Sequence, residues 1–376
     1  MREVLFSAGE TSGDLNAAPV AATLARLRPD LHLVGLGGSR MREAGVELIE
    51  DTVSRAVMGF AEIVRYLPQH LLRLRQLDSR LATGRVALVV CVDYGGFNLR
   101  LASLAAKRKI PVLYFITPQV WASRAGRMRS MARTVTKAAV ILPFEEKLLR
   151  DNGIDATFVG HPMLDRAKDL PDRATARATL ALDVRGGLGV RAPVLALFPG
   201  SRAQEVERLL DPFVATAREA QRRIPGLQVI VSHAPNVTID PARCPYPVVH
   251  APSMTVLRAA TAALCKSGTT TLEAAVTGCP LVIAYRTSAL TYQIARRLVT
   301  IPYIGMVNVV AGRGIAPEFI QKGVRPDAMA DALVPLLEEG SAVRATEVAE
   351  LAKVRAALGT PGAAERVAEM ASRLAG

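Results

Sequence analysis

Residues 4–14 read VLFSAGETSGD, and this stretch decides the fold class. It opens with a short, uncharged and mostly apolar run, which is typical of a strand buried on both faces of a parallel sheet. Gly9 and Gly13 permit a tight turn, and Thr11 and Ser12 are residue types that cap helices. The stretch therefore predicts a strand, a turn and a helix that begins near Ser12, with free backbone N–H groups directed beyond the strand.

Apolar runs of similar length recur along the chain and alternate with amphipathic segments such as residues 19–27 and 60–81. The runs are continuous rather than alternating, so this order predicts βαβ units in doubly wound parallel sheets. The expected strands are residues 4–8, 31–36, 87–92, 112–116 and 138–142 in the first half, and residues 194–198, 227–232, 248–250, 262–265 and 281–284 in the second.

Residues 166–193 interrupt the alternation because they are charged, contain Gly and Pro, and lack apolar runs. A length of 376 residues also suits two domains better than one. We therefore predict two α/β domains with a cleft between them, where ligands bind outside the carboxyl ends of the strands. The expected divisions are an N-terminal domain over 1–165, a linker over 166–193, a C-terminal domain over 194–345 and closing helices over 346–376.

Composition excludes several classes of protein. With 50% hydrophobic and 22% charged residues, the chain is globular rather than disordered. The excess of 47 Lys and Arg over 34 Asp and Glu gives a net charge of +13, which favours an anionic partner. A 5% share of aromatic residues disfavours the stacking surfaces that bind nucleic acids. The four cysteines form no Cys-x-x-Cys pair, which argues against a disulfide framework or a zinc ribbon.

Charge and apolar spacing indicate a membrane surface as one anionic partner. Residues 94–144 and 274–317 contain no Asp or Glu. The segment 60–81 places Phe60, Ile63 and Leu67 at helical spacing, with Arg73 and Arg75 beside them. Such a helix either packs on the sheet or presents an apolar stripe to lipid. No secretory signal is visible and no run reaches the roughly 18 apolar residues of a membrane span, so we expect a soluble or surface-bound protein.

Two loops in the second half suit the phosphates of a nucleotide. The expected strand 194–198 runs into Pro199, Gly200, Ser201 and Arg202, in which the guanidinium is suited to bidentate binding of an oxyanion. The expected strand 262–265 runs into KSGTTTLE, residues 266–273, and predicts a second loop-to-helix anion site. Its Glu273 lies far enough into the helix to reach a ribose diol. Together the two loops favour a nucleoside diphosphate as ligand.

Two acidic residues follow strands in the first half. Asp93 ends the expected strand 87–92, where partial burial would raise its pKa and suit it to general-base catalysis. The structural alternative is an aspartate that caps a helix or closes a turn. Glu10 follows the first strand and is expected to face the cleft, although SAGETSGD also fits an ordinary strand–turn–helix junction.

Metal and dinucleotide cofactors are not expected. The sequence has no Asp-x-Asp motif and no histidine pair at metal-binding spacing, and we interpret the lone His161 as structural. The fragment GLGG at 35–38 lacks the last Gly of a dinucleotide fingerprint.

Ten stretches resemble the lipid-A-disaccharide synthase family, in the family's order and over nearly the whole chain. They are SAGETSGD (7–14), AVMGFAEIV (56–64), VDYGGFNL (92–99), ITPQVWA (116–122), ILPFEE (141–146), FVGHPMLD (158–165), FPGSR (198–202), SGTTTLEAA (267–275), PLVIAYR (280–286) and NVVAGR (308–313).

The resemblance implies a GT-B fold, in which two Rossmann-like parallel-sheet domains face each other across a cleft, and a metal-independent, inverting glycosyltransferase without a cofactor. The implied substrates are UDP-2,3-diacylglucosamine and 2,3-diacylglucosamine 1-phosphate, and the implied products are the β-1,6 disaccharide of lipid A and UDP. The implied place of action is the cytoplasmic face of the inner membrane. The implied catalytic residues are Asp93 and Arg202. The implied substrate-binding and nucleotide-binding residues are Glu10, Ser12, Gly13, Ser201, Ser267, Gly268, Thr269, Thr270, Glu273 and Asn308.

This chain departs from the family pattern at several positions. Gly95 and Gly96 lie where the family often carries a second acid after Asp93, so no second carboxylate takes part here. Ser123 replaces a frequent tryptophan and Val307 a common proline, which bears on loop shape and acyl-chain preference.

Rival hypotheses remain at this stage. One is another GT-B enzyme that uses UDP-N-acetylglucosamine, either the glycosyltransferase of peptidoglycan precursors or a 2-epimerase. A non-catalytic membrane-surface scaffold would leave both phosphate-type loops unexplained. A nucleic-acid-binding module is disfavoured because RNA-binding signatures are missing. The oligomeric state stays open.

Overall fold

The computed structural model describes residues 1–53, 67–119, 125–181, 184, 187–189, 191–234, 237–289, 291–293 and 302–376. The chain forms two compact units, Met1–Asp165 with Gly359–Gly376, and Arg166–Leu358. The segment expected as a linker, 166–193, therefore belongs to the second unit. The expected closing helices are divided between the units, because the chain returns to the first unit at Gly359.

The first unit is built around one parallel sheet in the order β3-β2-β1-β4-β5-β6-β7. Its elements are β1 (Arg2–Ala8), α1 (Thr11–Leu27), β2 (Leu31–Gly37), α2 (Ser39–Glu43), β3 (Glu47–Asp51), α3 (Leu67–Leu81), β4 (Val86–Val92), α4 (Gly95–Lys107), β5 (Val112–Phe115), α5 (Ala125–Thr134), β6 (Lys137–Val140), α6 (Glu145–Asp151), β7 (Ala156–Phe158) and α7 (Met163–Arg166). Strand β1 pairs with β4 so that Ala8 lies beside Val92. The loops that carry Glu10 and Asp93 therefore leave the sheet side by side.

The second unit contains a parallel sheet in the order β10-β9-β8-β11-β12-β13. Its elements are α8 (Arg173–Leu180), β8 (Val194–Phe198), α9 (Ala203–Arg223), β9 (Gln228–Ser232), β10 (Val248–Val249), α10 (Ser253–Ala259), β11 (Ala262–Lys266), α11 (Thr270–Thr277), β12 (Leu281–Tyr285), α12 (Met306–Ala311), β13 (Glu318–Ile320), α13 (Pro326–Leu337) and α14 (Ala342–Ala357), and α15 (Ala363–Ala375) returns to the first unit. Strand β11 pairs with β8 so that Cys265 lies beside Phe198. The two phosphate-type loops therefore leave adjacent strands.

The predicted α/β class with two parallel sheets is confirmed. The apolar runs identified most strands because those strands are buried on both faces. They missed β3, whose residues are all exposed or half-buried, and the three-residue strands β7 and β13. Such edge strands lack the continuous apolar signal that marks central strands.

Helix α3 packs on the first sheet through Leu74, Leu77 and Leu81, which all belong to its hydrophobic core. Arg73 was expected to face a membrane, but its guanidinium makes two bonds of 2.6 and 2.5 Å to the Glu50 carboxylate. With only 11% of its side chain exposed, Arg73 supports the fold rather than a lipid surface. Arg75 is exposed.

The remaining membrane-facing predictions are not tested by this structure. Phe60 and Ile63 lie outside the described residues, and of Leu67 only the backbone, at the start of α3, is described. Within the ranges that the structure describes, every helix is too short or too polar to cross a bilayer.

A buried acid in the second unit gives a prediction on stability. The Glu347 side chain of α14 accepts the N–H of Leu281 at the start of β12, at 2.7 Å, and burial raises its pKa to about 8. Because folding raises the pKa of Glu347, the contribution of this residue to stability is complete at pH values below its pKa in the unfolded chain. That contribution is lost as the pH rises towards 8. Glu347→Gln keeps an acceptor and carries no charge. We expect this variant to raise the free energy of unfolding at pH 8 by roughly 1–3 kcal/mol and to change it little at pH 4. Urea unfolding at pH 4 and pH 8 measures the free energy of unfolding of the variant and the parent. An equal difference between them at both pH values would contradict the raised pKa of Glu347.

Candidate active site

A cavity of about 920 Å³ lies in the second unit. We call it the nucleotide cavity. Its wall is formed by the loops after β8 and β11, the start of α9, the start of α11 and residues near the ends of β9 and β10. Arg202, Lys266, Thr269 and Glu273 are among the polar residues that line it. This is the edge at which parallel α/β sheets bind ligands.

Glu205 organises the loop after β8. It accepts the backbone N–H of Ser201 at 3.0 Å, and its other carboxylate oxygen lies 2.9 Å from Lys266 Nζ. Both side chains of this ion pair are largely buried. Arg202 Nη1 lies 3.9 Å from the same oxygen, but 64% of the Arg202 side chain is exposed. The pair therefore fixes the loop, while the Arg202 guanidinium stays available to an oxyanion.

The start of α9 adds backbone donors to this guanidinium. Arg202 occupies the N-cap position of a 21-residue helix, with extended backbone angles. The first N–H groups of such a helix have no partner within it, and its dipole favours negative charge. Ser201 is exposed at this point and also lines the cavity.

The loop after β11 supplies Gly268, Thr269 and Thr270 to the cavity wall. Thr271 closes the turn by donating its hydroxyl to the Gly268 carbonyl at 2.9 Å. The Ser267 hydroxyl donates to the Ile304 carbonyl at 2.6 Å, and the Ser267 N–H donates to the Ala284 carbonyl. Both of its donors are thus used within the protein, and it does not line the cavity.

Glu273 reaches the cavity from within α11, as its spacing predicted. Burial raises the pKa of its carboxyl, and a hydrogen bond with Ser253 and the charge of Arg166 act in the opposite direction. A carboxyl held in this way is suited to hydrogen bonds with hydroxyl groups of a ligand.

Asn308, which the resemblance implies as a nucleotide-binding residue, is held by contacts within the protein. Its side chain is fully buried. The amide nitrogen donates to the Ala316 carbonyl and to the Glu318 carboxylate, both at 2.8 Å, and the amide oxygen accepts the N–H groups of Ile315 and Ala316. All of these partners lie at or just before β13, so Asn308 fixes this segment.

Asp93 lies directly after β4 in the first unit, in a left-handed conformation. Asp93 and Tyr94 have φ angles of 51° and 53°, which are uncommon for such residues. The Asp93 carbonyl accepts bonds of 2.9 Å from the Asn98 side-chain amide and from the Tyr114 hydroxyl. Asn98 is itself fully buried and bonded to Ser7. The backbone of Asp93 is thus held from both sides.

The environment of the Asp93 carboxyl suits a general base. Burial raises its pKa above the ordinary value, and the Tyr94 N–H and the Ser12 hydroxyl act in the opposite direction. Ser12 Oγ lies 3.4 Å from Asp93 Oδ2. The first-unit loop therefore places Ser12 beside Asp93, and Glu10 is half-buried in the same loop.

The glycines of this loop serve close packing. A side chain at Gly9 would overlap the Tyr94 ring, and one at Gly13 would lie 3.2 Å from the Ala8 methyl group. Gly13 is buried, so its role is to let α1 approach the sheet rather than to line a surface. The next residue, Asp14, is also buried and accepts the N–H groups of Gly38 and Met41, which fixes the start of α2.

Comparison with known proteins decides the family. A family model described as lipid-A-disaccharide synthetase matches residues 4–372. The chain is 41% identical to the lipid-A-disaccharide synthase of Anaeromyxobacter sp. (strain K), over 98% of this chain and 96% of that protein. It is 37% identical to the one of Coxiella burnetii (strain CbuK_Q154), over 99% and 98%. This chain belongs to the lipid-A-disaccharide synthase family.

Solved structures show the same fold. The glycosyltransferase of kitacinnamycin superposes with a TM-score of 0.67 at 17% identity, over 99% of this chain and 98% of the other. MurG of Acinetobacter baumannii superposes with a TM-score of 0.60 at 16% identity, over 99% and 100%. At these identities the likeness concerns the fold alone, and it confirms the GT-B architecture. As a member of the lipid-A-disaccharide synthase family, this protein is a UDP-sugar glycosyltransferase.

Several residues of the site were missed by sequence reasoning. Lys266 and Glu205 form the ion pair of the nucleotide cavity, and His233 and His250 line it with their rings 4.4 Å apart. Lys266 had a readable signal, because it ends an apolar strand just as Asp93 follows one. Glu205, His233 and His250 reach the cavity because of the order of the strands in the sheet, which the periodicity of the sequence does not reveal.

A metal centre has no candidate here among the described ranges, which contain no group of three or more His, Cys, Asp or Glu side chains placed to hold an ion. His161, interpreted as structural, is buried and accepts the Met163 N–H at 3.2 Å through Nδ1. The four cysteines are buried free thiols.

Proposed function

We propose that this enzyme transfers 2,3-diacylglucosamine from its UDP conjugate to 2,3-diacylglucosamine 1-phosphate. The products are the β-1,6 disaccharide of lipid A and UDP. The observation that carries the proposal is the exposed Arg202 guanidinium at the N-terminus of α9, beside a cavity large enough for a nucleotide sugar. The family relationship supplies the class of sugar and acceptor.

The donor diphosphate is assigned to the two loops of the nucleotide cavity. Arg202 and the first N–H groups of α9 and α11 would bind its oxygens, with Ser201, Thr269 and Thr270 beside them. Glu273 would accept hydrogen bonds from the ribose hydroxyls. As the bond to the anomeric carbon breaks, negative charge grows on the leaving UDP. Donors placed beforehand stabilise this charge more in the transition state than in the ground state.

We assign Asp93 as the base that removes the proton of the acceptor hydroxyl. In an inverting transfer the acceptor hydroxyl attacks the anomeric carbon opposite the leaving UDP, and a base removes its proton as the new bond forms. The raised pKa of Asp93 makes it a stronger base than an exposed aspartate. Ser12 and the Tyr94 N–H orient the carboxylate.

The reaction is tested with radiolabelled donor in detergent micelles. We expect a disaccharide product from UDP-2,3-diacylglucosamine and the diacylglucosamine 1-phosphate, and none when UDP-N-acetylglucosamine replaces the donor. Transfer or epimerisation of UDP-N-acetylglucosamine, with no reaction of the acylated donor, would instead support the rival GT-B reactions.

The pH dependence of this reaction follows from the direction in which the pKa of Asp93 is shifted. The base must be ionised, so kcat/KM falls as the pH drops through its pKa. Because burial raises that pKa, we expect the acidic limb to lie above the ordinary aspartate value. Ser12→Ala removes a hydrogen bond that favours the ionised form, so this limb should move further towards neutral pH. If the acidic limb of the kcat/KM profile lies at the same pH in Ser12→Ala as in the parent enzyme, the hydrogen bond between Ser12 and Asp93 is contradicted.

Membrane association on the cytoplasmic face is part of the proposal. Leu71 and Leu72 of α3 are 47% and 56% exposed, and Arg75 is exposed on the same helix. Exposed leucines beside a cation suit an anionic bilayer surface. These residues replace Arg73 as the candidates for lipid contact.

Vesicle binding tests this surface. We expect Leu71→Ser with Leu72→Ser to lower partitioning onto anionic vesicles by about tenfold or more, because each leucine would lose its burial in lipid. Leu27→Ser is the matched control, since Leu27 is a 49% exposed leucine on another helix of the same unit. Equal partitioning of the double variant and the control would place the docking surface elsewhere.

A further inference from the structure

The second unit contains another cavity, of about 320 Å³, which shares no lining residue with the nucleotide cavity. We call it the basic cavity. It lies where α10 and α11 end and where α8 and α14 begin. Helices α10 and α11 thus run from one cavity to the other, with Ser253 and Glu273 at the first and Arg258 and Thr277 at the second.

Three arginines line the basic cavity against one acid. They are Arg173, Arg258 and Arg344, and the acid is Asp172. Within the part of the chain that the structure describes, none of the three arginines forms an ion pair. Asp172 uses its carboxylate to accept the Thr175 N–H at 2.8 Å, as the N-cap of α8. The lining therefore carries excess positive charge.

The contacts of the three arginines are with neutral oxygens. Arg173 donates to the Ala260 carbonyl at 3.0 Å and to the Thr261 hydroxyl at 3.1 Å, and Arg258 donates to the Thr277 carbonyl at 3.2 Å. Arg344 donates to the Thr261 carbonyl at 2.6 Å and to the Leu336 carbonyl at 2.5 Å. The Ala260, Thr277 and Leu336 carbonyls lie at helix C-termini, where a cation is favourable. These bonds use only part of the five donors of each guanidinium.

Two of these guanidinium donors have no hydrogen-bond partner within the part of the chain that the structure describes. Among the described residues, Nε of Arg173 and Nε of Arg258 are buried and have no hydrogen-bond partner. A buried charged donor without a partner costs free energy. Burial and the nearby charge of Arg173 also lower the pKa of the Arg344 guanidinium, while Cys279 and two acids act in the opposite direction. Capping of helix ends therefore does not account for three cations in one small space.

We propose that the basic cavity binds a phosphate-bearing anion, either a phosphomonoester or a pyrophosphate. Guanidinium groups match phosphate oxygens through paired N–H donors, and several of them in one cavity favour a multiply charged ligand. The volume is at the lower end of ligand cavities, so the bound group is small. The proposal does not depend on the proposed reaction, because none of its residues lines the nucleotide cavity.

The test must separate the two cavities, since both attract phosphates. Pyrophosphate is titrated calorimetrically, at constant ionic strength set with chloride, into the full chain carrying Arg202→Ala, which weakens the nucleotide cavity. We expect binding to persist in this protein and to weaken at least about tenfold when Arg258→Gln is added. Arg208→Gln is the matched control, because Arg208 also donates to a single backbone carbonyl and lines neither cavity.

A second variant guards against loss of folding. Arg173→Lys keeps the charge and removes the forked donor, and thermal unfolding without ligand shows whether each variant is folded. Folded variants should lose the rise in Tm that pyrophosphate gives the Arg202→Ala protein. If Arg258→Gln and Arg173→Lys both leave the affinity and this rise unchanged, the proposal is overturned.

The source of the phosphate is distinguished with lipid. Arg258-dependent retention on phosphatidic acid vesicles, compared with phosphatidylcholine vesicles, would identify a lipid headgroup. Arg258-dependent binding of soluble pyrophosphate alone would identify a free phosphate compound. Either result supports the site, and dependence on Arg258 in neither arm would overturn it.

Discussion

Asp93→Asn is expected to lower kcat for sugar transfer by about 10²–10⁴-fold and to leave UDP binding unchanged. Asparagine has the shape of aspartate but cannot accept the acceptor proton. It also tolerates the left-handed conformation at this position, where φ is 51°, whereas alanine would be strained there. The Asn98 and Tyr114 bonds to the carbonyl of residue 93 are kept, so the loop should stay in place.

The control for this variant is Asp155→Asn in the same unit. Asp155 forms an exposed ion pair with Lys137 through bonds of 3.1 and 2.9 Å, and such a pair contributes little to stability. We expect its turnover to match that of the parent enzyme. Turnover of Asp93→Asn within about twofold of Asp155→Asn would remove Asp93 as the base. Loss of UDP binding together with turnover would indicate that the loop, rather than the base, had been damaged.

Arg202→Ala is expected to lower kcat by about 10²–10³-fold and to weaken UDP binding as well. The guanidinium is assigned to the diphosphate, so its removal affects both the bound donor and the charge that develops on the leaving UDP. Arg202→Lys should recover part of the UDP affinity, because the charge remains while the paired N–H donors are lost. Calorimetry with UDP and steady-state rates measure the two effects separately.

Arg208→Ala is the control for the Arg202 series, since Arg208 lies on the same helix outside the cavity lining. The fold should survive the Arg202 substitution because the Ser201 N–H and Lys266 hold Glu205 without it. Equal UDP affinity and equal rates in Arg202→Ala and Arg208→Ala would show that the diphosphate is bound by other groups.

Most of the candidate site was predictable because of one property of parallel sheets. Apolar runs mark the buried strands, and ligand-binding loops follow their carboxyl ends. Asp93 and Arg202 could therefore be selected by counting forward from two apolar runs, and the structure places each in the loop after its strand. Glu273 was found in the same way, from helical spacing after a third run.

Three of the predicted residues have protein partners that the sequence did not reveal. Asn308, Ser267 and Arg73 are polar residues in functional-looking stretches, and each is committed to a partner that only folding supplies. These partners are Glu318, the Ile304 carbonyl and Glu50, which lie 10, 37 and 23 positions away. A sequence pattern shows that a side chain can donate or accept, but not whether the fold already uses that capacity.

The sequence by itself determined the parallel α/β class, the positions of the main strands along the chain and the loops that carry Asp93 and Arg202, because burial on both faces imposes an apolar run that is readable locally. The tertiary structure alone decided which polar groups remain free for a ligand. It paired Lys266 with Glu205, enclosed Asn308, and gathered Arg173, Arg258 and Arg344 around one cavity. Hydrogen-bond satisfaction is a property of the whole packed chain, so no local pattern encodes it.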